Sequence, residues 1–218
     1  MPTVDTSTLG SIAVLLTALG LSSVSGLRAY FPLLTAAVGT DVLSSTVKLS
    51  PAFEHTLGST SVNPLIIVTL AILAVGEFIV DKLPLIDHIS DLAHTVIRPL
   101  SGAAIMAGLD NPLSHNYPWA AAVVGAILSL IVHSVKATAR PVVTATTVGH
   151  GNPIVSLVED IVTAAVAVLA LVMPVLAVLL MLVLTIFVGR LAWRGIQKLR
   201  ARRANKITNT TPSAPVAV

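Results

Sequence analysis

The chain has 218 residues, of which 55% are hydrophobic and only 11% charged, against about 25% charged in an ordinary soluble domain. With a mean hydropathy of +0.91 and no cysteine, this composition excludes a water-soluble globular domain and any disulfide or thiol chemistry. The net charge is +3, but seven of the 13 Lys and Arg lie between Arg190 and Lys206, directly after the last apolar block. Such a cluster reads as the cytoplasmic flank of a membrane span and argues against a nucleic-acid partner.

In chain order, residues 1–8 form a short tail. No Lys or Arg precedes the first apolar run, so that run reads as a retained span and not as a cleaved signal peptide. Segment one, Leu9–Val38, is too long for one straight span, and Gly26 and Pro32 predict an interruption. A polar connection follows over Gly39–Asn63. Segment two covers Pro64–Leu83. Segment three covers Leu85–Leu109, with an unusual first half that carries Asp87, His88, Asp91 and His94; Pro99 predicts a break, and the second half is short enough to be re-entrant. Asp110-Asn111-Pro112 forms a turn. Segment four, Pro118–Thr147, is expected to break near Pro141.

Segment five starts after Gly151-Asn152-Pro153, and Met173-Pro174 marks the turn into segment six, which ends near Trp193. As one helix, residues 153 to 193 would reach roughly 60 Å, about twice the hydrocarbon thickness, so two crossings are read. Residues 197–218 are basic and then, after Ile207, expected to be disordered.

These elements define an all-α polytopic membrane protein of about six membrane segments, some broken or re-entrant, in one transmembrane domain over residues 9–196. With six crossings and a cytoplasmic basic tail, both termini are cytoplasmic. Lys82, Arg98, Lys136 and Arg140 then fall on cytoplasmic connections and only Lys48 lies outside, in keeping with the positive-inside rule. Ser25–Ala36 aligns with Ser134–Ala145 through Ser25/Ser134, Pro32/Pro141, Thr35/Thr144 and Ala36/Ala145. Halves 9–109 and 118–196, three segments each, would have inverted topology, a common plan of secondary transporters. Chance similarity of Ala/Thr-rich stretches is the competing explanation.

Ionisable groups within spans are costly and point to function. Glu77 and Asp81 are four residues apart and share a helical face, as do Asp87, Asp91 and His94 at i, i+4 and i+7. Glu159 and Asp160 open segment five. Carboxylates and imidazole at this spacing suit a divalent cation, with Glu77, Asp81, Asp87, Asp91 and His94 as ligands, or a proton relay. Equally, they could pair with nearby bases and hold the bundle together. Arg28, Arg98 and Arg140 lie close to Pro32, Pro99 and Pro141. A broken helix exposes N–H groups that attract anions, and arginine matches phosphate bidentately. Arg28 sits in mid-segment and is expected to face inward, onto an anion, a carboxylate or a lipid phosphate. Small residues in Ala120–Ala126 and Ala164–Ala170 allow close helix packing. No P-loop, dinucleotide-binding or metalloprotease motif is present.

Several stretches together resemble a known family: Ser25-Gly-Leu-Arg-Ala-Tyr, Glu77-Phe-Ile-Val-Asp-Lys-Leu-Pro-Leu-Ile-Asp87, Arg98-Pro-Leu-Ser-Gly-Ala, Lys136-Ala and Ser156-Leu-Val-Glu-Asp160. They resemble the small bacterial membrane proteins grouped as domain of unknown function 4126, over roughly Leu9 to Leu171. The resemblance implies a bacterial inner-membrane location and a shared constellation of Arg28, Glu77, Asp81, Lys82, Asp87, Arg98, Glu159 and Asp160. It implies no activity. The expectation from chemistry is a small transporter for an ion or a small polar or anionic solute. Its site would hold Arg28, Glu77, Asp81, Lys82, Asp87, Asp91, His94, Arg98, Lys136, Arg140, Glu159 and Asp160, with proton or cation coupling. A lipid-phosphate carrier, and a membrane enzyme or assembly partner with structural charges, are the alternatives. The expected partners are the bilayer and the solute or lipid phosphate, with self-association open.

Overall fold

The computed structural model describes residues 6–57, 59–81, 87–147 and 151–210; the side chains of 6, 7, 87–92 and 202–210 are outside that description. Among the described residues the fold is all-helical, apart from one antiparallel bridge between Leu49 and Leu109. The helices are α1 (Thr6–Val24), α2 (Tyr30–Val42), α3 (Pro51–Leu57), α4 (Pro64–Val80), α5 (Asp87–Gly108), α6 (Pro112–Asn116), α7 (Pro118–Thr147), α8 (Asn152–Val172) and α9 (Pro174–Thr210). Among the described residues, three stretches are long and apolar enough to cross a bilayer: Pro118–Thr147, Asn152–Val172 and Pro174–Ala201. Thr8–Val24 and Pro64–Val80 are shorter apolar helices. Large apolar side chains point outward all along them, such as Leu65, Ile72, Val172 and Phe187, as they do where the surrounding solvent is hydrocarbon.

The first segment is broken at Gly26 as expected, but its halves do not continue in one direction. α1 runs antiparallel to α5, since Ser22 Oγ donates to the Gly102 carbonyl at 3.0 Å and Ser25 Oγ lies 3.5 Å from that of Arg98. α2 runs parallel to α5: the Tyr30 ring meets that of His94, and Thr40 shares a cavity wall with Gly108. α1 and α2 therefore form a splayed hairpin with its tip at 25–29. α8 agrees, for its C-terminal end meets both legs. Thr17 Oγ1 donates to the Ala170 carbonyl at 2.9 Å, and the Leu171 side chain fills the space in front of Gly39. The interruption expected in the first segment is thus a reversal of direction: the chain turns back at Gly26. Gly26 is the reason: a Cβ there would overlap the Ser129 carbonyl, so only glycine lets the tip press against α7. Pro32 falls in the first turn of α2, where its missing N–H costs no helical bond.

Two further breaks expected at prolines do not occur. α5 continues through Pro99 and α7 through Pro141. Each proline removes one helical hydrogen bond, to Thr95 O and to Ala137 O, without ending its helix. Ser129 Oγ donates to Arg98 O at 2.7 Å and Thr144 Oγ1 to Arg140 O at 3.0 Å, at the carbonyls just before the prolines. Because α7 is unbroken, the stretch Ser134–Ala145 has no counterpart of the break in Ser25–Ala36. The turn at Met173-Pro174 is present, but α9 continues through the basic residues to Thr210 instead of ending near Trp193. The 39–63 connection is shorter than expected and contains α3. Its backbone is tied to the end of α5, with Ser50 N donating to Gly108 O at 2.7 Å and Asp110 N to Lys48 O at 2.9 Å.

α7 and α5 form the tightest pair. A Cβ on Gly102 would overlap the Gly125 carbonyl, and one on Gly125 the Gly102 carbonyl. Gly125→Val should therefore force these helices apart at a cost of about 1–3 kcal/mol or more. Gly76, with nothing within 4 Å of an added Cβ, should accept alanine with an unchanged or slightly raised midpoint. Thermal unfolding of both variants in detergent checks the contrast.

Candidate functional site: a buried charge cluster at the hairpin tip

The tip leaves α2 with orphan N–H groups, and its cap residue Ala29 supplies no side-chain bond. A carboxylate from another helix fills the gap. Glu77 of α4 accepts from Ala29 N at 3.0 and 2.9 Å and from Tyr30 N at 3.1 Å. This is an anion held on a helix N-terminus, where the macrodipole favours it. On its other side, Glu77 Oε1 lies 3.5 Å from His94 Nε2 and 3.8 Å from Arg98 Nη2.

Arg28 sits in the break itself and is fully buried. Its Nη1 donates to Asp81 Oδ2 and, at 3.3 Å, to the Glu77 carbonyl. Its Nη2 donates to Asp160 Oδ1 and, at 3.2 Å, to Ser156 Oγ. The Phe78 ring centroid is 5.1 Å from its Cζ. One guanidinium thus bridges α4 and α8, using the planar fork that lysine lacks.

α7 brings a second row of bases. Ser129, His133, Lys136 and Arg140 recur at i, i+4, i+7 and i+11, one helical face. Lys136 Nζ donates to the Leu27 carbonyl at 3.0 Å and lies 2.8 Å from Glu159 Oε2 and 3.7 Å from Asp81 Oδ2. Arg140 Nη2 is 3.4 Å from Asp81 Oδ2 and 3.8 Å from Glu159 Oε2. Arg98 Nη1 is 2.8 Å from His133 Nδ1. Arginine only donates, so Nδ1 accepts; the ring is then neutral, and its Nε2–H faces Thr95 Oγ1 at 3.3 Å.

Nine of the twelve expected site residues meet in this cluster: Arg28, Glu77, Asp81, His94, Arg98, Lys136, Arg140, Glu159 and Asp160. Lys82 and the side chains of Asp87 and Asp91 lie outside the described residues. Among the described residues no group of three or more His, Asp or Glu is arranged to hold a metal ion. His94 joins Glu77 of another helix, and Asp81 faces arginines and a lysine, so the described members of the expected ligand set are spread over two neighbourhoods. Ser156 and His133 are partners that the residue-by-residue reading overlooked. Spacing on α7 carried the signal for His133, three residues before Lys136.

The fold and this cluster define a helical membrane protein with a charged site buried among its helices. The family model for the domain of unknown function (DUF4126) matches residues 15–194, and the chain belongs to that family. No curated protein and no solved structure matches it.

Removing Arg28 takes the guanidinium from two buried carboxylates, Asp81 and Asp160. Arg28→Ala should cost about 3–5 kcal/mol, read as a large fall in melting midpoint in detergent. Arg28→Lys, which keeps the charge, should lose less. Asp160→Asn added to Arg28→Ala should restore part of the loss, and strict additivity would mean that the pair is not coupled.

Proposed function

We propose that the protein is a small membrane transporter that carries an anionic substrate together with a proton, using the cluster at the hairpin tip as its site. The observation that carries this reading is the Glu77 carboxylate on the N-terminus of α2, with His94 and Arg98 beside it. Those donors form an anion site already filled by an internal anion. A proton on Glu77 weakens its hold on the amides of Ala29 and Tyr30. The amides and the Arg98 guanidinium then become available to an external anion. Loss of the proton returns Glu77 and expels the substrate. Half-helix ends that face substrate anions are a device of transporters with broken helices.

The helix directions support a location inside the bilayer. Asp160 is about 18 Å from the C-terminal end of α8 and about 12 Å from its start at 1.5 Å per residue, a total close to the ~30 Å hydrocarbon thickness. They also support a re-entrant first segment. α4, α5, α7, α8 and α9 then make five passages, with the N-terminus on the face opposite the basic tail. The basic tail then lies on the cytoplasmic side and Lys48 on the other, so the positive-inside asymmetry is kept.

Single cysteines in this cysteine-free chain test that topology. Thr8→Cys and His55→Cys should react with an impermeant thiol reagent in intact cells, and Lys198→Cys only after permeabilisation. Reaction at 55 with protection at 8 would restore a first segment that crosses.

Transport is tested in proteoliposomes holding a pH-sensitive dye. The panel is inorganic phosphate, sulfate, small carboxylates and a short-chain fluorescent lipid phosphate. One of them should drive luminal acidification when added outside. Glu77→Gln, judged only if it retains the parent gel-filtration profile, should slow this at least tenfold. Flux no greater than in empty vesicles across the panel would sink the reading.

A further inference from the structure

α7 and α8 barely touch; each packs instead on α9. The gap between them is a cavity of about 250 Å³. Its walls are aliphatic, among them Leu27, Val135, Val162, Met181 and Leu184. At its mouth Ile154 and Val158 are exposed, 66% and 53%. Water in such a slot would find few polar partners, and apolar cavities of this kind stay dry. Hydrocarbon is the occupant that fits.

The inner end differs in kind. Two lining residues there are ionic, the buried Lys136 and the largely covered Glu159. Lys136 Nζ at 2.8 Å and Arg140 Nη2 at 3.8 Å converge on a single oxygen, Glu159 Oε2. That oxygen marks a position where two cations meet one anion. Glu159 is the acid that lines the slot, whereas Asp81, the partner of Arg28, is not among its lining residues. A phosphate oxygen taking the place of Glu159 Oε2 would keep both cations paired while Glu159 turns aside. An apolar slot that ends on Lys136 and Glu159, with Arg140 reaching the same Glu159 oxygen from behind the lining, matches an amphiphile with a hydrocarbon chain and an anionic head.

We infer that the α7–α8 slot binds a lipid phosphate, its chain among the aliphatic walls and its phosphate on Lys136 and Arg140. This rests on reading the cluster as an anion site and names the class of anion that its Lys136–Arg140 side admits, next to the seat that Glu77 fills. The lipid would approach sideways from the bilayer, with its head delivered to the basic side chains without passing through water. A second copy of the chain covering the slot is the competing occupant, and the test separates the two.

The full-length protein in detergent is titrated with a monoacyl glycerol phosphate, with the matching uncharged monoacylglycerol, and with inorganic phosphate. Binding is followed by the melting midpoint. The lipid phosphate should raise it by several degrees at concentrations where the other two leave it unchanged. Val158→Trp, a change at an exposed lip, should keep the fold and weaken the lipid phosphate at least tenfold. Arg140→Gln should reduce the advantage of the phosphate over the uncharged lipid. An equal shift with the uncharged lipid, an equal shift with inorganic phosphate, or an unaffected Val158→Trp would each overturn the inference. So would a change of oligomeric state in Val158→Trp, which would assign the slot to a second copy. Anion uptake in vesicles without lipid-phosphate binding would overturn this inference and leave the transport reading standing. Binding without proton-coupled movement of any anion would do the reverse.

Discussion

The bundle is organised around one guanidinium that water does not reach. A charge in a medium of low dielectric constant is tolerable only when opposite charges and hydrogen bonds surround it. Arg28 meets that demand by drawing Asp81 from α4 and Asp160 from α8 to the same point, with Ser156 as a further acceptor. Asp81 then attracts Lys136 and Arg140 from α7. Three helices and a hairpin tip are tied to one another through groups that none of them could bury alone.

Close packing makes that convergence reachable. Gly26 lets the tip lie on the α7 backbone, and Gly102 and Gly125 let α5 and α7 touch through their main chains. Without a hydrophobic drive between helices in lipid, such small-residue contacts and interhelical hydroxyl bonds supply the association. Ser129 belongs to both devices. It sits at the Gly26 contact and donates to the Arg98 carbonyl beside Pro99. The hairpin leaves N–H groups at the start of α2, and Glu77 closes them. The site is thus the place where an unfinished helix meets an excess of charge.

Much of this was legible in the residues. Length of apolar run separated α7, α8 and α9, and Met173-Pro174 marked a turn because proline lacks the N–H that would continue α8. Intramembrane acids and bases stood out as costly. The reading of proline was less secure at Pro99 and Pro141, because a proline removes only one helical hydrogen bond, and packing against neighbouring helices, which one-dimensional reading does not include, holds the helix through it. His133 was passed over because an isolated histidine in an apolar run carries no signal until Lys136 and Arg140 are seen on the same face.

The sequence by itself determined the class, the long apolar helices α7, α8 and α9 and the inventory of charge, since hydropathy and charge act locally and add along the chain. It also determined that Arg28 must be paired, because no isolated charge is stable there. Only the tertiary structure decided that the first segment turns back at Gly26, that its bared N–H groups go to Glu77, and that Asp81 and Asp160 share one arginine. Each of these depends on which helices come within hydrogen-bond distance of one another. Direction along a hairpin and the choice among several oppositely charged partners are set by packing, which pairs residues as far apart in the chain as Arg28 and Asp160.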